Sequence, residues 1–170
     1  MRRMVAAMML SVLAIAAAIA AADAPQSPDL GLVTHARTAL GELRAFEHLN
    51  DEIVKRCHEP VTGAYGDWRE EFHADLERAN ALERALQRRV AAAPRETRDD
   101  ERLKSFTEVE GQALNSRCLR WSTLLIQRES PLRAGIAVQL DFLRDNEARL
   151  RTILGNDAQW QEWRAAGLLP

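Results

Sequence analysis

From Leu32 to Cys57 the apolar residues return every three or four positions: Leu32, Ala36, Ala39, Leu40, Leu43, Phe46, Leu49, Ile53, Val54 and Cys57. A strand would alternate at every second residue, whereas this spacing draws one apolar stripe along an α-helix. The same period recurs in three later segments, and no segment alternates. A helix with one apolar stripe needs neighbours to cover it. The chain is therefore expected to be all-α.

The helix boundaries can be read from caps and breakers. Ser27 or Asp29 is placed to cap the first helix, which should run to about Cys57. Pro60 and Gly63 then break the chain. Asp67-Trp68-Arg69-Glu70 has the form of a capping box, opening a second helix with Trp68, Phe72, Leu76, Ala79, Leu82, Leu86 and Val90 on its stripe and its end before Pro94. Thr97 to Asp100 starts a third helix, whose acidic first turn suits the positive end of the helix dipole. Its stripe is Leu103, Phe106, Ala113, Leu114, Cys118, Trp121, Leu124 and Leu125. Ser130-Pro131 pairs a cap with proline at the first helical position. Leu132, Ile136, Leu140, Leu143, Leu150, Ile153 and Leu154 line the fourth helix, which Gly155 stops. Asp157 should cap a short fifth helix carrying Trp160 and Trp163, with Gly167 at its end. Long helices on short connections pack as antiparallel neighbours, so the expected fold is an antiparallel up-down four-helix bundle with a short C-terminal fifth helix.

The N-terminus addresses location. Arg2 and Arg3 precede an apolar run from Val5 to Ala22, and small residues offer cleavage between about Ala20 and Asp23. This is the layout of a secretory signal peptide over residues 1–22, followed by a single helical domain over 23–170. No cysteine follows the run for lipid attachment, and a cleaved chain keeps no stable membrane span. The expected location is periplasmic or secreted. Arginine supplies 21 of the 23 basic residues, a bias expected of a GC-rich bacterial coding sequence. Losing the two leader arginines takes the formal charge from −2 to −4. A mildly acidic chain without a concentrated basic face is not expected to bind nucleic acid.

Cys57 and Cys118 are the only cysteines. In an oxidising compartment an even pair reads as a disulfide, and each lies on the apolar stripe of its helix. Cys57 adjoins His58, but covalent haem attachment would need a second cysteine in a C-x-x-C-H arrangement.

Other chemistries find few residues. All four methionines, Met1, Met4, Met8 and Met9, fall in the leader, so no thioether remains for haem or copper. A di-iron carboxylate site asks for Glu-x-x-His on two helices; Glu70 to His73 is the one such spacing, and helical geometry turns His73 off its stripe. There is no G-x-S-x-G or S-x-x-K motif and no phosphate-binding glycine loop. No cofactor, metal or enzymatic activity is expected.

Two features point elsewhere. Polar residues fall inside the apolar stripes: Glu47, Asp75, Glu83, Glu110, Arg117, Gln139, Asn146 and Glu147. They form either a buried network or rim, or a ligand pocket around Glu110 and Arg117. In the tail, Trp160, Trp163, Leu168 and Leu169 share an apolar face that either docks on the chain's own helices or anchors a protein partner. The expected function is non-enzymatic: an exported helical protein acting through protein contacts, such as an accessory, inhibitor or immunity-type subunit. The alternative is a small-molecule-binding bundle built on the polar interior.

Overall fold

The computed structural model describes residues 27–58, 61–91 and 114–169. All regular structure among these residues is helical. Six helices follow in order: α1 Pro28–Val54, α2 Val61–Glu71, α3 His73–Gln87, α4 Leu114–Ile126, α5 Pro131–Gly155 and α6 Asp157–Ala165. The expected signal peptide over 1–22 and the predicted start of the third helix at Thr97 to Asp100 lie outside the described residues. So do Leu103, Phe106 and Ala113. Among the described residues no helix is long and apolar enough to cross a membrane.

The chain divides into two compact units, Met1–Gly31 and Leu32–Pro170. In the first, Ser27 caps α1: its Oγ accepts the Leu30 N–H at 3.2 Å. Asp29 sits in the first turn instead, where its charge suits the dipole.

In the second unit, α2 packs on α4, α3 on α5, and α4 on α5. The core is built from the predicted stripes. Ala36, Leu43, Phe46, Leu49 and Ile53 of α1 are buried, with Leu76, Leu82 and Leu86 of α3 and Ile136, Leu140, Leu143, Leu150 and Ile153 of α5.

Four boundaries differ from the sequence reading. Helix α1 ends at Val54, three residues before Cys57, although the Cys57 N–H still donates to the Ile53 carbonyl at 2.8 Å. The segment read as a breaker followed by a capping box at Asp67 is helical from Val61, so Asp67 lies inside α2. Val61, Ala64 and Trp68 are all buried, and covering that face outweighs the cost of Gly63 and Gly66, about 1 kcal/mol each. The single second helix is in fact two, divided at Phe72, which starts α3 without a side-chain cap. The path bends there rather than stops: Phe72 N–H donates to Trp68 O at 3.1 Å and Leu76 N–H to Phe72 O at 2.9 Å. Finally, Asn156 rather than Asp157 caps α6, its Oδ1 accepting the Gln159 N–H at 3.2 Å.

Other signals hold. Ser130 Oγ accepts the Arg133 N–H at 3.2 Å, with Pro131 at the start of α5. Gly167 has φ +68°, the left-handed conformation that favours glycine. It closes α6 with two reversed bonds, Gly167 N–H to Arg164 O at 3.0 Å and Leu168 N–H to Trp163 O at 2.9 Å.

Candidate functional site

Cys57 and Cys118 form a disulfide with their Cα atoms 5.6 Å apart. Both are almost fully buried, at 1% and 4% exposure. The bond ties the segment after α1 to the first turns of α4. A bonded, buried sulfur is neither nucleophile nor metal ligand, and His58 beside it is exposed. Among the described residues no group of three or more His, Cys, Asp or Glu side chains is arranged to hold a metal ion.

The polar stripe residues take rim positions. Glu47, Asp75, Glu83, Arg117, Gln139, Asn146 and Glu147 are each half-buried, and Glu110 lies outside the described residues. Glu83 accepts from Arg44 at 2.7 Å. Gln139 Nε2 donates to Glu42 at 2.7 Å, bridging α5 and α1. Asn146 donates to the Phe142 carbonyl of its own helix at 2.8 Å, and Glu147 pairs with Arg151 at 2.7 Å. Of these last three, two bond locally within α5 and one crosses to α1. Gln139 and Glu42 stand at a groove of about 110 Å³ lined by Leu43, Phe46, Pro131, Leu132, Gly135 and Ile136.

Glu47 sits in an acidic neighbourhood. Burial holds its carboxyl above the ordinary 4.5; Arg69 opposes the shift, while Asp51, Glu83 and Glu77 add to it. The same surroundings push the Tyr65 hydroxyl up to about 12, burial first and the Glu47 charge second. A carboxyl raised in the folded state binds its proton more tightly there than in the unfolded chain. Stability therefore falls as pH rises from the unfolded value through the folded one, and the ionised group stays a burden above that window. Glu47→Gln is expected to raise the thermal midpoint at pH 7 and to leave it unchanged at pH 3. Calorimetry at both pH values checks this.

Two buried polar centres were not foreseen. Asn50 is fully buried; its Nδ2 donates to Phe46 O at 2.9 Å and its Oδ1 accepts from Trp121 Nε1 at 2.9 Å, joining α1 to α4. Arg133, 8% exposed, donates to the Leu125 carbonyl at 2.8 Å and pairs with Glu71. Its guanidinium also lies 5.3 Å over the Phe72 ring. One side chain thereby holds the end of α4, the end of α2 and the bend at Phe72. Hydrogen bonding to Arg133 holds the Glu71 carboxyl below 4.5, so this pair adds stability above the unfolded value that is lost as pH falls through the folded one.

Trp68 and Trp121, two of the four buried tryptophans, make a clean comparison. Trp68, against Phe46, Tyr65 and Phe72, is buried, and its Nε1 has no hydrogen-bond partner among the described residues. Trp121→Phe loses a bond and leaves Asn50 Oδ1 without it; Trp68→Phe removes the same atoms and no bond. Trp121→Phe is expected to be the more destabilising by about 1–2 kcal/mol, measured by urea unfolding of both variants.

The tail docks on the chain itself. Trp160 is fully buried and Trp163 nearly so. Trp160 Nε1 donates to Ile153 O at 2.8 Å, and Arg89 of the segment after α3 lies 6.0 Å over its ring while pairing with Asp157 at 2.5 Å. Arg164 returns a bond to the Arg89 carbonyl at 3.0 Å. Both indoles therefore face inward, and of the four apolar tail residues only Leu168 is exposed, with Leu169 half-buried.

The apolar residues that do face outward include Leu119 and Ile126 of α4, each 59% exposed. The periodicity leaves both off the core face, and among the described residues nothing else covers them. Leu114, read as a core residue, is 45% exposed.

No family model, no curated protein and no solved structure matches this chain.

Proposed function

We propose that this chain is an exported, non-enzymatic protein: a disulfide-stapled four-helix bundle of up-down topology with a short fifth helix, working by contact with another protein. The leader-like N-terminus and the buried Cys57–Cys118 bond support export, since such bonds persist in oxidising compartments. The observation that carries the contact reading is α4. Its inner stripe is buried, it is pinned covalently through Cys118, and it still holds Leu119 and Ile126 out to solvent. A helix whose only task was to close a core would be polar on that face.

The test is the size of the native chain in the periplasmic fraction, read by gel filtration and native mass spectrometry. A complex with a second protein in fixed stoichiometry is expected. A monomer carrying a small-molecule adduct would favour the binding alternative, with the groove beside Gln139 and Glu42 as its site. A bare monomer, or a chain found only in the cytoplasm, would remove the reading.

A further inference from the structure

We infer that the outward face of α4 is the contact surface, and that it takes a helix of another protein with apolar residues at two-turn spacing and acidic residues beside them. The inference rests on the protein-contact reading above.

Leu119 and Ile126 are seven residues apart, so they lie on one face about 10 Å from each other along the axis. Thr123, half-buried, stands between them, and the exposed Asn115 and Ser116 continue the same face one turn earlier. The inward side of the helix carries the buried Cys118, Trp121, Ser122 and Leu125. So α4 carries two aliphatic side chains outward, set among polar ones. An outer row at this spacing matches the anchors of a helix laid alongside.

Charge narrows the partner. Between Leu114 and Arg128 the chain carries Arg117, Arg120 and Arg128 and no acid, although the whole chain is net negative; the next acid is Glu129. Arg120 and Arg128 are exposed, and neither makes a hydrogen bond or ion pair among the described residues. Arg128 acts on Glu71 only through space. It borders a shallow depression at the end of α4 shared with Leu124, Gln127, Glu129, Ser130 and Pro131. Two aliphatic side chains on a helix whose only charges are arginines, with Arg120 exposed, suit acidic flanks on the incoming helix, which would steer encounter and fix register.

The same facts disfavour other occupants. A second copy placed on this face by two-fold symmetry would bring arginine against arginine. A bilayer surface is bound by helices with many basic residues and a broad apolar face, and two aliphatic side chains are a thin anchor. The disulfide ties α4 through Cys118 to the segment after α1, a tether that lowers the ordering cost of binding.

The test places a benzophenone-bearing residue singly at 119, 126, 138 and 168 of the full chain expressed in its own cells, followed by irradiation and sequencing of the cross-linked peptides. Positions 138 and 168 are controls, because Val138 and Leu168 are also exposed, at 63% and 50%. Adducts are expected from 119 and 126 and not from the controls, on a peptide with acidic residues flanking apolar ones at helical spacing. Arg120→Glu should lower the yield at least about tenfold while leaving the thermal midpoint unchanged. Adducts to a second copy of this chain, binding to phosphatidylglycerol vesicles that Arg120→Glu abolishes, or a yield indifferent to charge reversal would each overturn the inference. Adducts from 138 or 168 alone would overturn it and leave the contact reading standing; adducts from no position would remove both.

Discussion

The double variant Cys57→Ala, Cys118→Ala is expected to lose about 4 kcal/mol of unfolding free energy, as the chain-entropy model gives for a loop of this length. The two cysteines are 61 residues apart in sequence, so the bond removes a large share of the unfolded chain's freedom. The folded state has little with which to compensate. Both sulfurs lie in the core, so alanine leaves space there as well as removing the link. For a domain of this size the loss is a large fraction of total stability. The measurement is urea unfolding of the variant beside the oxidised parent. A midpoint within experimental error of the parent would show that α1 and α4 hold together without the bond.

Trp160→Ala is expected to cost about 3–5 kcal/mol, the range for a buried aromatic cut back to alanine. The ring is fully buried, and its removal also frees the Ile153 carbonyl and takes away the surface under Arg89. Trp160→Phe should fall between parent and alanine variant, because it keeps most of the ring and loses only the Nε1 bond. Chemical unfolding of the pair decides whether α6 belongs to the core. Equal stability of Trp160→Ala and parent would mean that it does not. The same burial governs how truncations are read: deleting Asp157 to Pro170 removes both indoles, so a partner lost on that deletion reports damage to the core as readily as a lost contact.

Much of the helical core was legible in the sequence because a period of 3.6 leaves a mark whatever a helix packs against. Ile136, Leu140, Leu143, Leu150 and Ile153 are all buried as that period requires. Ser130-Pro131 and Gly167 were legible because each answers a local backbone demand. Val61 to Gly66 was not. Two glycines and a preceding proline give a strong local signal for a turn, and the burial of Val61 and Ala64 that overrides it is tertiary. Arg133 was invisible for a related reason: it follows Leu132 on the stripe, but its partner Glu71 is 62 residues away in sequence and no pattern joins them. Asn50 lies between apolar positions and reads as a rim residue until Trp121 is placed against it. The half-buried polar residues show the limit of a stripe drawn from sequence, since one residue of register separates rim from interior. In the tail, periodicity identified the apolar face of α6 without saying whether the chain itself would cover it.

The most direct measurement of the account is the intact mass of the chain recovered from the periplasm, taken without reduction and again after reduction and denaturation. The expected result is a chain beginning between about Ala21 and Asp23 that gains about 2 Da on reduction, one disulfide's worth of hydrogen. A chain retaining residues 1–22, or one whose mass is unchanged by reduction because Cys57 and Cys118 are free thiols, would contradict it.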